Sequence, residues 1–435
     1  MNSLAQEWKS DRLKDVAAIN VSALPASTDP DYEFDYLEIS NVDYHGVVNP
    51  QAIERMRYED APSRARRRVA KNCTVISSVR PNLQAVAYLT DGREDFVCST
   101  GFNVVKANEA KLSPRFTYFV LISEHARQYF EATAKGVGYP AVDDKDFDSF
   151  SVPLPPLLEQ ERIAAYLDAS CAAIDAAIAA KRRQLETLDG VRETLIESAV
   201  TRGIKPQTRT RQVDEEWIGE IPAHWKICRI KRIVSQVDYG ISEATVKEGQ
   251  FPVLKMAHIQ RGEVVFSNID FVEDVAEALL LEKGDLLYNR TNSPDQVGKA
   301  AIFRGTKRDK LTFASYLVRL RTNHRADPYF LNYVLNSRGF LSFARKLAIP
   351  SVQQSNLNST RYCRMWIPLP PLGEQREIAA FLDAKLEAMN RVVTVITSQI
   401  ETLRGYRKSL IHECVTGQRR ITEADIAAAQ RTASM

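Results

Sequence analysis

The stretch PLPPLLEQERIAAYLDA, Pro153 to Ala169, returns as PLPPLGEQREIAAFLDA, Pro368 to Ala384. Further on, LETLDGVRETLIESAVT from Leu185 returns as IETLRGYRKSLIHECVT from Ile400. Both matches share one shift of 215 positions with no gap between them, and about half the residues from Pro153 to Thr201 equal their partners. Self-similarity of this kind means a structural unit built twice. Each copy opens on a Pro-Pro break that forces extended backbone. Glu159-Gln160 and Glu374-Gln375 follow at a helix start, where an acidic group meets the positive end of the dipole. The pattern predicts a short helix through Leu167 or Leu382, then a long one to about Arg202 or Thr416.

The long helix carries a 3-4 spacing: Ile174, Ile178, Lys181, Leu185, Leu188, Arg192, Leu195, Ala199. Its counterpart reads Met389, Val393, Ile396, Ile400, Leu403, Arg407, Leu410, Cys414 in the same register. Such seams pack helix against helix, and two of them in one chain predict an antiparallel pair. Arg192 and Arg407 interrupt both seams at the same point and are candidates for setting the register. Gly190 and Gly405 fall inside the helices, where glycine costs about 1 kcal/mol relative to alanine. Close helix approach is one explanation; an exposed glycine inherited by duplication is the other.

The segments ahead of each repeat are related more weakly. WKSDRLKDVAAIN from Trp8 resembles WKICRIKRIVSQV from Trp225, and KNCTVISSVRPN from Lys71 resembles KGDLLYNRTNSP from Lys283. Within them CTVISSV, AVAYL, DLLYN, AAIFR and YLVRLR read as short strands. PRFTYFVLISEHARQYFEAT and DPYFLNYVLNSRGFLSFARKL read as helices. The fold class is therefore α+β: two α+β heads joined by two long helical repeats packed as an antiparallel coiled coil, with pseudo-two-fold symmetry. The expected division is 1–152 first head, 153–206 central repeat, 207–367 second head, 368–420 distal repeat and 421–435 tail. A helix of about 30 residues spans roughly 45 Å, so as a ruler it would set two DNA-reading heads about a dozen base pairs apart at most.

In bulk the chain is an ordinary globular sequence, with 44% apolar and 26% charged residues among 435. It shows no apolar run of about 20 residues and no secretory layout at its start, so the expectation is a cytoplasmic protein with no membrane span. The six cysteines lack metal-ligand or disulfide spacing. Net charge is only +3, but Arg55, Arg57, Arg64, Arg66, Arg67, Arg68 and Lys71 crowd one stretch. Clustered cations suit a phosphate-tracking surface; a solvated face is the alternative.

At this point the residues resemble a family. PLPPL-x-EQ-x-x-IA-x-[YF]-LD, present twice, is similar to the signature of the specificity (S) subunits of type I restriction–modification enzymes. DEEWIGEIPAHWKICRIK (Asp214–Lys231), SSVRPNL (Ser77–Leu83), STGFNVV (Ser99–Val105) and GVGYPAV (Gly136–Val142) look like the same family. The second head departs from the SSVRPNL and STGFNVV forms, having NRTNSPDQVGKAA and FASYLVRL instead. The resemblance implies two target-recognition domains, each reading half of a split, asymmetric site on double-stranded DNA. It implies helical repeats that dock two modification (M) and two restriction (R) subunits. Those partners would hold S-adenosylmethionine, ATP and Mg2+, and this chain none of them.

Arginine suits guanine, asparagine or glutamine suits adenine, and serine, threonine or lysine adapt to either. On that basis the DNA-contact candidates are Arg64, Arg66, Arg67, Arg68, Arg80, Asn82 and the loop from Lys135 to Tyr139 in the first head. In the second they are Arg290, Thr291, Asn292, Ser293, Lys299, Gln353, Gln354, Ser355 and Asn356. All are expected in loops, and phosphate contact competes with base readout at each. Glu159, Gln160, Glu374 and Gln375 are candidates for docking M subunits. No catalytic or metal site is expected: Asp327-Pro328-Tyr329-Phe330 has one proline where an adenine methyltransferase loop has two, and Asp143-Asp144-Lys145 lacks an upstream Pro-Asp. Two other readings remain open, a separate S subunit of a type IIB-like enzyme and a coiled-coil scaffold for protein interactions.

Overall fold

The computed structural model describes residues 8–43, 46, 48–81, 85–90, 93, 95–206, 208–351 and 354–433. The chain divides into two compact units, residues 1–182 with 397–435, and residues 183–396. Each boundary falls inside a long helix, so the repeats are not bodies of their own. Each unit takes one head, half of one repeat helix and half of the other.

In the first unit the elements run β1 (Lys9–Arg12), α1 (Leu13–Val16), β2 (Ala17–Ile19), β3 (Glu33–Leu37), β4 (Glu54–Arg57), β5 (Ala65–Arg68) and β6 (Cys73–Ser77). Then come β7 (Val86–Leu89), β8 (Phe96–Ser99), β9 (Phe102–Ala107), α2 (Pro114–Leu121), α3 (Glu124–Thr133), α4 (Asp144–Asp148), β10 (Ser151–Leu154) and α5 (Leu157–Arg202). The strands order as β2-β9-β6-β7, β4-β3-β8-β5 and the pair β1-β10. All five residues of β6 (CTVIS) are buried, the polar Thr74 and Ser77 included, as its place inside the sheet requires.

The second unit has β11 (Thr210–Gln212), β12 (Glu220–Pro222), β13 (Lys226–Arg229), β14 (Val234–Tyr239), β15 (Phe251–Leu254), β16 (Ile259–Gln260), β17 (Gly262–Val264) and β18 (Asp270–Val272). It continues with β19 (Leu286–Asn289), β20 (Thr291–Asn292), β21 (Ala300–Ile302), β22 (Thr312–Phe313), β23 (Leu317–Thr322), α6 (Pro328–Leu335) and α7 (Arg338–Leu347). Last are β24 (Ile349–Ser351), β25 (Gln354–Asn356), α8 (Ser359–Arg364), β26 (Trp366–Leu369) and α9 (Leu372–Val415). Its main sheet orders β14-β23-β19-β21-β17-β16, beside β20-β25-β24 and the pair β13-β26. Between the first repeat helix and β13, the chain from Thr210 to Pro222 closes into the hairpin β11-β12.

The two heads share a frame at their junctions with the helices, although their main sheets have four and six strands. β1 on β10 pairs Lys9 with Leu154, and β13 on β26 pairs Lys226 with Leu369. The expected single helix ahead of each repeat is in fact two. Ser123 and Ser337 break them, α2 and α6 having eight residues each, α3 and α7 ten.

Each repeat forms one unbroken helix of 46 or 44 residues, not a short one followed by a long one. Seam residues Ile174, Ile178, Ile396, Ile400 and Leu410 are buried, and Leu185, Leu188, Leu195, Met389, Val393 and Leu403 are partly so. The helices pack antiparallel: Arg407 Nε lies 3.2 Å from Asp175, and Arg192 donates to Asn390 at 3.1 Å. Glycines 190 and 405 are exposed, and a Cβ on either would meet nothing within 4 Å. Close helix approach is thereby excluded as their cause. The tail is also helical, forming α10 (Glu423–Ala433), with Glu423 paired to Arg162 at 2.6 Å.

Contrary to the run-based expectation, α5 contains an 18-residue window of mean hydropathy 1.5, sufficient in length and composition to cross a membrane. Alanines raise that value, and Ile163, Leu167, Cys171, Ile174 and Ile178 along the same stretch are buried by protein. The cysteines are all buried as free thiols. Among the described residues no group of metal-ligand side chains assembles.

Candidate nucleic-acid interface

Leaving β6, the first head's chain turns back on itself. Ser77 Oγ donates to Val79 O at 2.7 Å, Val79 bridges Ala141, and Arg80 N–H reaches Pro140 O at 2.7 Å. The segment from Lys135 to Ala141 is itself closed by reciprocal backbone bonds of 2.8 and 2.9 Å between those two residues. Gly136, at φ +108°, permits that closure. The hairpin leaves Val137 fully exposed and Tyr139 73% exposed, with the Arg80 guanidinium 4.3 Å above the Tyr139 ring.

The second head builds the same strap from other residues. β20 follows β19 directly and pairs with β25, setting Thr291 opposite Asn356 and Asn292 opposite Ser355. Leu357 N–H donates to Arg290 O at 2.7 Å, as Val142 N–H does to Ser78 O at 2.9 Å in the first head. Asn356 Nδ2 donates to Thr291 Oγ1 at 2.9 Å, and Ser293 Oγ to Asp295 at 2.6 Å. The Arg290 guanidinium sits 5.0 Å from the ring of Tyr239, which is 43% exposed. Tyr239 ends β14, and its hydroxyl lies 2.9 Å from Ser359 Oγ. The sequence reading missed it; an aromatic ahead of Gly240 was the available signal. A Cβ at Gly240 would stand 2.2 Å from Phe313 O, so only glycine allows the strands to close there.

The structure thus brings Arg80 together with the Lys135–Tyr139 hairpin, and Arg290, Thr291 and Asn292 together with Gln354, Ser355 and Asn356. In the second head Thr291, Asn292, Gln354, Ser355 and Asn356 sit on strands rather than in the expected loops, because the strap there is a small sheet, whereas Arg80, the Lys135–Tyr139 segment and Arg290 lie outside the named strands as expected. Asn82 and Gln353 lie outside the described residues.

Other candidates are engaged internally. Arg64 pairs with Glu38, and half-buried Arg67 donates to Phe102 O and, at 2.9 Å, to Asn103. Burial holds the Arg67 pKa below its ordinary value. Arg66 lies over Tyr58 at 4.5 Å, while Arg68 is exposed. Strand β5 carries Arg66, Arg67 and Arg68, with Arg64 just ahead of it, so alternation along it turns some inward. Lys135 is bound by Asp143 at 2.5 Å and Asp146 at 3.1 Å. Ser355 is buried. Lys299 donates to Gln296 at 2.7 Å and lines a groove of about 480 Å³ with Arg192, Arg261, Arg338 and Arg345. Burial, and then repulsion from Arg345, lowers its pKa.

The docking assignment fails at two residues. Gln160 and Gln375 are completely buried and present no surface to a partner. Gln160 accepts from Ser113 N–H at 2.8 Å and donates to Lys111 O at 3.0 Å and Pro155 O at 2.8 Å. Gln375 accepts from Asp327 N–H at 2.8 Å and donates to Arg325 O at 3.1 Å and Pro370 O at 2.9 Å. Both are clamps between head and helix start within their own unit. Glu159 pairs with Arg420 at 2.6 Å and Glu374 with His224 at 2.8 Å, so both carboxylates also serve the chain itself.

The sequence profile of the type I restriction modification DNA specificity domain matches residues 5–187 and 224–402. The MjaVIII specificity subunit of Methanocaldococcus jannaschii is 24% identical over 337 residues, 76% of each chain. The EcoKI specificity subunit of Escherichia coli K12 is 22% identical over 332 residues, 74% of this chain and 69% of that one. A putative MjaX specificity subunit of the same Methanocaldococcus is 29% identical over 205 residues, about half of either chain (46% and 47%). In fold, the chain is similar to one from a study of complex assembly in the type I R-M system, with a TM-score of 0.75, 22% identity and coverage of 95% and 99%. The HsdS subunit from Thermoanaerobacter tengcongensis matches with a TM-score of 0.53, 21% identity and coverage of 96% and 99%. The chain belongs to the type I restriction modification DNA specificity family.

Proposed function

We propose that this chain is the DNA-reading, non-catalytic subunit of a type I restriction–modification complex, each head reading one half of a bipartite, asymmetric site on duplex DNA. The observation that carries the reading is the strap. Both heads hold it in the same place on matching frames, yet line it with different side chains, Arg80 and Lys135–Tyr139 in one, Arg290–Asn292 and Gln354–Asn356 in the other. Two readers on one chain suit two dissimilar half-sites, unlike a homodimer on a palindrome.

Chemistry would reside on partners: two M subunits with S-adenosylmethionine methylating adenine in each half-site, and two R subunits with ATP and Mg2+. The residues that most resemble catalytic motifs here have structural work. Asp327 caps α6, accepting from the N–H groups of Tyr329 and Phe330 at 3.0 and 3.1 Å. Asp143 caps α4 and binds Lys135.

Co-expression with an M subunit, followed by long-read mapping of methylated adenines, should give two dissimilar half-sites separated by unspecified bases. A continuous motif, a palindrome or no motif would overturn the proposal. One helical turn inserted near Lys181 should lengthen the gap and leave both half-sites unchanged.

A further inference from the structure

In each head one guanidinium lies against an exposed tyrosine ring, Arg80 on Tyr139 at 4.3 Å and Arg290 on Tyr239 at 5.0 Å. Among the described residues, no acidic group or side-chain acceptor engages either guanidinium; Arg290 Nε has no hydrogen-bond partner. Three other stacked arginines differ. Arg115, over Tyr118, is bonded to Asp168, and Arg304, over Tyr329, to Glu263. Arg319, over Phe313, is bonded to Asp238. Their N–H donors are consumed inside the protein, whereas those of Arg80 and Arg290 are not.

The two arginines leave the same end of corresponding central strands, β6 and β19, but their tyrosines have unrelated origins. Tyr139 comes from the hairpin just ahead of the first repeat, whereas Tyr239 ends β14, far ahead of the second. Duplication alone does not produce a matching pair from non-matching tyrosines.

Stacking fixes the plane of a guanidinium and leaves its in-plane donors directed outward. That immobilises a long side chain before any ligand arrives, which lowers the ordering cost of binding. A phosphate accepts either a point charge or the same fork, so apolar surface beside the fork is what favours a base. Two coplanar donors beside exposed apolar surface such as Val137 match the edge of a base, and the fitting edge is guanine O6 and N7 in the major groove.

We propose that Arg80 and Arg290 each read a guanine, one in either half-site, with Tyr139 and Tyr239 as positioning residues that hold them flat. This rests on the DNA-reading assignment above. The test uses the M–S complex and its methylation motif. Arg80→Gln should relax one G·C position in one half-site and weaken binding to the parent site by about 5- to 150-fold, the range for one bidentate contact. Arg80→Lys, which keeps the charge, should relax the same position. Tyr139→Phe should keep the parent motif and Tyr139→Ser should loosen the position that Arg80→Gln loosens. Arg290→Gln and Tyr239→Ser should act on the other half-site alone, and the untouched half in each variant reports that the complex has folded and assembled.

A parent half-site without a G·C pair would overturn the proposal. So would an Arg80→Gln motif identical to the parent's, or a loss spread evenly over all positions, as for a phosphate contact. A parent complex that methylates no bipartite motif would overturn the DNA-reading assignment itself, and this proposal with it.

Discussion

Where each head meets its helices the same atoms make the same bonds; at the strap and along α3 and α7 they do not. Gln160 and Gln375 each hold one N–H and two carbonyls in the same arrangement. Gly203 and Gly417, both at φ +76°, each end a repeat helix with a tryptophan about 3.2 Å from where a Cβ would stand, Trp225 and Trp8. By contrast α3 presents Glu124, Arg127 and Glu131 where α7 has Arg338, Leu341 and Arg345. The difference follows from burial. A buried polar clamp is costly to leave half-made, so duplication retains it whole; a solvated face tolerates charge reversal.

The largest effect should come from breaking that identity at the clamp. Gln375→Leu leaves Asp327 N–H and the carbonyls of Arg325 and Pro370 without their partner, and Gln160→Leu does the same to Ser113, Lys111 and Pro155. Each should lower stability by about 3 kcal/mol, the scale for several buried groups left unpaired. Urea denaturation of the full chain measures it. Equal losses would confirm that the two junctions are energetically one design, and a neutral result at either would break the correspondence.

A smaller difference is expected between the seam arginines, which share a register position but not an environment. Arg407 is mostly buried and faces Asp175 at 3.2 Å. Arg192 donates to the neutral Asn390, and burial, followed by repulsion from Arg261, lowers its pKa. Replacing a partly buried charge by an apolar side chain of similar size is often neutral, whereas stranding a partner is not. Arg407→Met should cost about 1 kcal/mol and Arg192→Met within about 0.5 kcal/mol of nothing, read from thermal unfolding. Equal costs would mean that the pairing with Asp175 contributes nothing.

Much of the frame was legible because periodicity and repetition survive in one dimension. The seam from Ile174 to Leu195 and from Met389 to Leu410 needs only a 3-4 count, and the strands CTVISSV and DLLYN only an apolar run. The clamp was not legible. Glu-Gln at a helix start reads as polar surface, and only the fold shows that Gln160 points at backbone some 47 residues away in sequence. The site was half legible for the same reason. The arginine-rich stretch from Arg64 to Arg68 offered the strongest signal, yet Arg64 and Arg67 are held by Glu38 and Asn103. Tyr239 gave almost none, since its partner Arg290 directly follows β19, whose connection to β14 in the sheet runs through β23.

The smallest effect concerns the charge-reversed helices and is visible only against pH. The hydrogen bond from Arg127, more than that from Gln128, holds the Glu124 carboxyl down at about 2 despite partial burial. Arg127 Nε is 2.8 Å away and Gln128 Nε2 2.9 Å. A carboxylate with a depressed folded pKa contributes stability that is fully present above its unfolded value, about 4.3, and is lost as the pH falls towards the folded one. With 30% of the side chain exposed, solvent screening limits that contribution to below about 1 kcal/mol. Glu124→Gln should therefore be slightly less stable than the parent at neutral pH, and the gap should close progressively below about pH 4. Arg338, at the matching position in the other unit, keeps its charge throughout that range, so Arg338→Gln should give a difference that is flat across it. A gap at Glu124 that persisted unchanged to low pH would show that packing, not the ion pair with Arg127, distinguishes α3 from α7.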